Sequence, residues 1–184
     1  MEYRLWDPFR SKAAAAILKG LKEFAVKKGT KILYLGIASG TTASYLSDII
    51  GREGFIYGVE FAPRVIRELL PVAEKRGNIA PILADARTPQ AYTALVEEVD
   101  LIYADVAQPN QAEILADNAD VFLKKGGYAM LAIKAASIDV TKPAGQVFKR
   151  EIEVLKKRGF EIIQALELNP FDKQHAFVLA RYKG

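Results

Sequence analysis

The residues of this chain that could do chemistry stand mostly at the ends of short apolar runs. Gly36, Ala38, Ser39, Gly40, Thr41 and Thr42 follow Ile32-Leu33-Tyr34-Leu35, and Glu60 and Phe61 follow Phe55–Val59. Asp85 and Ala86 follow Ile79–Ala84, Asp105 to Gln108 follow Leu101–Ala104, and Lys134 follows Tyr128–Ile133. His175 precedes the run Ala176–Tyr182. A glycine turn lets backbone approach a ligand without a Cβ in the way. A carboxylate closing the next apolar run can accept hydrogen bonds from a ribose diol. Apolar run, glycine turn, helical segment and second run ending in a carboxylate is the pattern of a nucleoside-binding half-site, and it calls for an adenosine-type cofactor.

Each of these residues also has a plainer role open to it. Gly36 and Gly40 can be turn glycines, Glu60 a solvated strand end, and Asp85 and Asp105 helix-entry caps. Phe61 can be core or can stack on an adenine. Lys134 ends an apolar strand, where a lysine is costly unless its amine reaches a cleft. His175 alone reads as a structural histidine, and its place on the shared edge is what gives it a functional reading. Lys12 on its own is a helix-surface lysine, and spacing does not fix where it lies in space.

The elements that must position these groups follow from periodicity. Asp7-Pro8 opens a helix that Ala14, Ile17, Leu18, Leu21 and Phe24 carry to about Val26, closed by Lys27-Lys28-Gly29. Strands are expected at Lys31–Leu35, at 55–59, at 79–84, at 101–104 and at 128–133. Helices are expected at 42–50, 63–75, 89–97, 109–123 and 144–157. Alternation of this kind builds a parallel sheet with helices on both faces. Two further strands, 160–168 and 176–182, have only a turn between them and must be antiparallel neighbours. The expected fold is α/β: a Rossmann-like, seven-stranded class I methyltransferase sheet, mostly parallel, with a C-terminal antiparallel hairpin. In such sheets ligands bind outside the carboxyl ends of the strands. That edge collects the groups above, His175 included, because the last strand starts there.

Composition sets the bounds. At 184 residues, 51% of them hydrophobic, the chain reads as one domain over 1–184, with 1–30 a helical segment packed on it. Cysteine is absent and His175 is the only histidine, which argues against disulfides and against thiolate or histidine metal sites. No apolar run has membrane-spanning length and the N-terminus lacks a signal-peptide stretch, so a soluble intracellular protein is expected. The composition also suits a thermophile. Net charge is +4 and the pI about 9.2, which permits a polyanionic partner without requiring one. The basic clusters at 27–28, 124–125, 149–150 and 156–158 read as solvated helix ends.

Several motifs together are specific. Tyr3-Arg4-Leu5-Trp6 with Arg10-Ser11-Lys12, Leu35 to Thr42, Gly58-Val59-Glu60-Phe61 and Ala84-Asp85-Ala86-Arg87 form the first part. Asp105 to Pro109, Ile133-Lys134-Ala135 with Ser137-Ile138-Asp139, and Asp172-Lys173-Gln174-His175-Ala176 complete it. With them the whole chain resembles the archaeal fibrillarin family. The resemblance implies S-adenosyl-L-methionine as cofactor and methylation of a ribose 2′-hydroxyl in rRNA or tRNA. It implies cofactor contacts at Thr41, Thr42, Glu60, Phe61, Asp85, Ala86, Asp105 and Gln108, within a site that includes the turn Gly36, Ala38, Ser39 and Gly40. It implies a catalytic set of Lys12, Asp105, Lys134 and His175, and no metal. Its implied partners are a box C/D guide RNA with its target rRNA or tRNA, a Nop-type scaffold protein and a kink-turn-binding ribosomal-type protein, in an archaeal cytoplasm. Family members usually carry a small β-rich module ahead of the Tyr-Arg-Leu-Trp motif, and this chain starts almost at that motif.

Methyl transfer to a hydroxyl is an in-line displacement that needs positioning and stabilisation of negative charge on oxygen. Lys134 is expected on the 2′-oxygen, Asp105 as its orienter, and Lys12 and His175 as supports. Whether Lys134 removes the proton or acts by charge stays open at this level. So do two other readings: a protein glutamine methyltransferase, and a non-catalytic cofactor-binding assembly subunit. A nicotinamide dehydrogenase fits poorly, because the turn lacks the Gly-x-Gly-x-x-Gly spacing.

Overall fold

The structure is a computed structural model that describes residues 3–184. Seven strands form one sheet: β1 (Lys31–Leu35), β2 (Phe55–Glu60), β3 (Ile79–Leu83), β4 (Val99–Ala104), β5 (Leu123–Lys134), β6 (Phe160–Glu167) and β7 (His175–Tyr182). Their order is β3-β2-β1-β4-β5-β7-β6. The first five run parallel, and β7 lies antiparallel between β5 and β6. Six helices flank the sheet: α1 (Lys12–Leu18), α2 (Thr41–Ile50), α3 (Pro63–Arg76), α4 (Gln111–Phe122), α5 (Ala135–Ile138) and α6 (Ala144–Lys157). The expected fold class is the one observed.

The two-residue period of the strands sorts the core into two layers. Ile32, Tyr34, Ile56, Leu101, Tyr103 and Phe177 pack under α1, α2 and α3. Leu33, Leu35, Tyr57, Ile102, Leu131 and Val178 pack under α4 and α6. The central strands are covered on both sides, which is why they read as unbroken apolar runs.

Two expected helices are shorter in the structure. The N-terminal one is confined to α1. Asp7 caps only a tight turn, its Oδ1 accepting from the Phe9 N–H at 2.9 Å, and Gly20 in the left-handed region (φ 90°) ends the coil. Leu21 and Phe24 still pack on the core, from irregular chain. The apolar spacing reported burial there, not helix. The segment expected as helix at 89–97 makes one 3₁₀ turn, Pro89–Tyr92, that buries the Tyr92 ring, whose hydroxyl donates to Asn118. The β3–β4 connection is thus nearly helix-free. Strand β5 starts five residues earlier than expected, and the short α5 follows it directly.

Most basic clusters are surface charge: Lys28 pairs with Glu53, Lys124 with Asp100, and Arg158 with Asp117 and Asp120. Among the described residues no helix is long and apolar enough to cross a membrane.

Glu151 on α6 is 2% exposed, and its Oε2 accepts from the Ala112 N–H at 2.9 Å, holding the start of α4. Burial pushes its carboxyl up from the ordinary value. A carboxyl raised in the folded state favours folding below its ordinary range, and that contribution fades as pH rises through the elevated value. Glu151→Gln keeps an acceptor and never ionises. Thermal melts are expected to show it several degrees more stable than the parent at about pH 8 and no more stable at about pH 4.

Candidate functional site

The sheet order reverses between β1 and β4, and their carboxyl ends open the crevice expected at such a switch point. The two ends are stitched together, the Asp105 N–H donating to the Leu35 carbonyl at 2.9 Å. Gly36 stands in the left-handed region at φ 75°, and a Cβ there would meet the Asp105 carbonyl oxygen at 2.7 Å. Both its conformation and this close approach demand glycine. The following turn carries Ala38 at positive φ (53°), and the Glu60 carboxylate holds it. Glu60 Oε2 accepts from the Ala38 N–H at 3.2 Å, and Oε1 from the Ala62 N–H at 3.0 Å.

A cleft of about 200 Å³ lies between these strand ends, bordered by Gly36, Ala38, Glu60, Phe61, Ala86, Asp105, Gln108 and Lys134. Phe61 is 63% exposed, a large ring facing solvent beside a nearly buried carboxylate. Gln108 Oε1 is buried with no hydrogen-bond partner. A larger cavity of about 880 Å³ lies against the N-terminal segment and α2, away from the switch point. Arg4 and Arg76 both pair with Asp48, and Arg4 covers the Tyr45 ring at 4.2 Å. The smaller cleft is the chemically equipped one.

At its lip, one carboxylate serves two lysines. Lys12 Nζ, from the first residue of α1, donates to Asp105 Oδ2 at 3.2 Å. Lys134 Nζ, from the end of β5, is 2.9 Å from Asp105 Oδ1. That contact is ionic and not an aligned hydrogen bond: Lys134 Nζ donates instead to the Asp105 carbonyl at 3.3 Å, and Oδ1 is left without a donor. Gln111, fully buried at the start of α4, fixes the Lys134 backbone by accepting its N–H at 2.9 Å. His175 begins β7 directly across from Lys134 in the β5–β7 register. The four groups expected to act together, Lys12, Asp105, Lys134 and His175, meet on one rim. Both lysines donate to Asp105, Lys12 to its carboxylate and Lys134 to its carbonyl. Behind them burial, reinforced by the charge of Asp105, pushes the Tyr34 and Tyr103 hydroxyls well above the ordinary range, so both remain neutral phenols.

Other expected positions lie off the cleft. Gly40 ends the turn at φ 84°, a left-handed conformation that favours glycine, and lies against Leu69 of α3. Ser39 and Thr41 flank it. The Thr42 hydroxyl donates to Ser11 Oγ at 3.0 Å, tying α2 to the start of α1. The Asp85 carboxylate is turned onto Arg87, accepting from its guanidinium and backbone N–H, and this holds its carboxyl below the ordinary value. Its neighbour Ala86 reaches the cleft instead. Two residues that sequence reasoning passed over as site members are Gln111 and Asp172. In the sequence, Asp172 stood out only as part of the motif that ends in His175-Ala176, with no role given to it. Among the described residues no cluster of three His, Asp or Glu could hold a metal ion.

The family model described as Fibrillarin matches residues 1–184. A fibrillarin-like rRNA/tRNA 2′-O-methyltransferase of Sulfurisphaera tokodaii is 58% identical over 184 residues, which is 100% of this chain and 79% of that protein. The structure of Aeropyrum pernix fibrillarin in complex with natively bound S-adenosyl-L-methionine superposes with a TM-score of 0.89 at 60% identity, over 95% of this chain and 76% of that one. A fibrillarin/Nop5p complex superposes with a TM-score of 0.93 at 44% identity, over 99% of this chain and 85% of its counterpart.

The close approach at Gly36 is testable by Gly36→Ala set against Gly20→Ala. Both sites have positive φ, but a Cβ at Gly20 meets nothing within 4 Å. Urea unfolding is expected to show Gly20→Ala losing about 1 kcal/mol from backbone strain and Gly36→Ala about 1–3 kcal/mol more, from displacement of Asp105. Equal losses would remove the argument that β1 and β4 must touch there.

Proposed function

The chain belongs to the fibrillarin family, and from that premise and the cleft we propose that it is an S-adenosylmethionine-dependent RNA methyltransferase. Its acceptor is a ribose 2′-hydroxyl of rRNA or tRNA. It acts as the catalytic subunit of a guide-RNA-directed box C/D ribonucleoprotein, docked by a Nop-type scaffold and accompanied by a kink-turn-binding protein. The observation that carries the reading is the pair of lysines on one carboxylate, set at the lip of a nucleoside cleft.

The residues fit the cofactor. Each Glu60 oxygen takes only one backbone N–H, which leaves acceptor capacity for a ribose diol. Phe61 offers an exposed ring face to an adenine. Gln108 Oε1 and Asp105 Oδ1 are buried acceptors without donors, suited to an amino-acid ammonium. Gly36, Ala38 and Ala86 supply the close walls, while Ser39, Gly40, Thr41 and Thr42 shape the helix entry and Asp85 braces the turn beside Ala86.

When bound, S-adenosylmethionine supplies a methyl group activated by a sulfonium charge. The protein must position the acceptor hydroxyl and stabilise the negative charge that grows on its oxygen. Lys134 and Lys12 are preorganised donors for that oxygen. Asp105 holds both in place, and Gln111 fixes the backbone that carries Lys134. In this reading the lysines act by stabilising charge on the acceptor oxygen.

With a net charge of +4 and no arginine-rich arm, the chain presents little surface for reading RNA sequence, so target choice comes from pairing with a guide. The chain alone is expected to bind the cofactor yet transfer almost no methyl to RNA, and to gain mapped 2′-O-methylation when guide RNA and scaffold are added. Efficient site-specific RNA methylation by the chain alone, or labelling of protein instead of guided RNA, would overturn the assignment. In the assembled particle Lys134→Ala is expected to lower methyl transfer about 10²–10³-fold, with cofactor affinity by calorimetry unchanged. Near-native turnover would remove Lys134 from the reacting oxygen.

A further inference from the structure

The rim holds a second carboxylate. Asp172 lies in the turn between β6 and β7, and its two oxygens face two different groups. Oδ1 is 2.8 Å from His175 Nδ1, and Oδ2 is 3.8 Å from Lys12 Nζ. Basic and acidic groups therefore alternate, Lys134, Asp105, Lys12, Asp172, His175, with each carboxylate set between two basic groups.

The placement of Asp172 is built, not incidental. Its N–H donates to the Leu168 carbonyl at 3.2 Å, and the Phe171 N–H to the same carbonyl at 2.9 Å. The Leu168 N–H donates to the His175 carbonyl at 2.9 Å, closing the turn. The Phe171 ring packs edge-on against Phe9 at 5.3 Å, which fixes this turn against the segment that leads into Lys12.

His175 Nδ1 has two neighbours, Asp172 Oδ1 at 2.8 Å and the Lys173 carbonyl at 2.7 Å. Both are acceptors only, so Nδ1 must carry the proton. In the neutral ring the lone pair then sits on Nε2. With Nδ1 committed to its two acceptors, Nε2 is the ring nitrogen left to take a proton.

We propose that Asp172 is a positioning residue for methyl transfer. It locks the Nδ1–H tautomer of His175, so that Nε2 accepts the proton of the 2′-hydroxyl, and it holds Lys12 beside the same oxygen. The inference rests on the methyltransferase reading above. As the oxygen–methyl bond forms, the carbon–sulfur bond breaks with its electron pair remaining on sulfur. The hydroxyl proton passes to His175 Nε2. The resulting imidazolium is stabilised at Nδ1–H by Asp172 and later returns its proton to water. This is the carboxylate–imidazole arrangement that orients a general base.

Two measurements test it. Because His175 is the only histidine, a long-range proton–nitrogen-15 spectrum of the chain reports one imidazole. At alkaline pH, where the ring is neutral, the native chain is expected to carry its proton on Nδ1, the reverse of free histidine. A neutral ring protonated on Nε2 overturns the proposal without reference to activity. In the assembled particle, single-turnover transfer by Asp172→Asn is expected to fall about 10²-fold, with the affinities for cofactor and guided RNA unchanged, and Asp172→Glu is expected to recover most of the rate. A native rate in Asp172→Asn, or a loss confined to binding, overturns it. If the native particle itself transfers no methyl to guided RNA, the methyltransferase reading fails instead, and the spectrum still decides the tautomer.

Discussion

Lys12, from near the start of the chain, and Lys134, from the end of the neighbouring strand β5, converge on the carboxylate of Asp105, and the rim is organised by that convergence. Fold stability does not ask for it. Paired charges taken out of water return little net energy, and apolar replacements of such pairs are often neutral or stabilising. Removing only one partner is what costs, about 3–5 kcal/mol where the pair is buried. At 17–20% side-chain exposure these groups are partly withdrawn from water, and two cations share one anion. The arrangement places two lysine donors at the mouth of a nucleoside cleft. Donors held there are what an oxygen acquiring negative charge requires.

Everything that holds Asp105 serves this purpose. Its N–H is bonded to the end of β1, and its carbonyl presses on Gly36 so closely that no side chain fits there. The glycine turn and the carboxylate are thus one feature seen from two strands. On the other side Gln111 ties the start of α4 to the Lys134 backbone, and Glu151 ties the same helix start to α6. Two buried polar side chains satisfy backbone N–H groups, Glu151 that of Ala112 at the helix start and Gln111 that of Lys134, and in doing so they set the lysine.

Much of this was legible in the residues. The parallel core strands are continuous apolar runs because helices cover both faces, and the closing hairpin was visible from a turn too short to hold a helix. The glycine turn and Glu60 carried the nucleoside pattern on their own. Less could be read where burial and helicity part company. Leu21 and Phe24 are core residues on irregular chain, and Pro89–Tyr92 buries a tyrosine with a single 3₁₀ turn. The apolar period reports which residues face inward, not the backbone that carries them. Asp85 shows a second limit, since its carboxylate is taken up by Arg87, two residues on, while Ala86 faces the cleft.

What the sequence determined by itself was the sheet, its ligand edge and the residue types gathered there, because strand ends are local features that periodicity and turn residues mark. What the tertiary structure alone decided was who meets whom. Lys12 lies 93 residues from Asp105 along the chain, and nothing in its own neighbourhood distinguishes it from a surface lysine. Asp172 and His175 are close in sequence, yet their relation to Lys12 depends on the last hairpin folding back against the first helix. Contacts of that range form only when the sheet order and the layers on it are complete, and those are properties of the whole chain's packing.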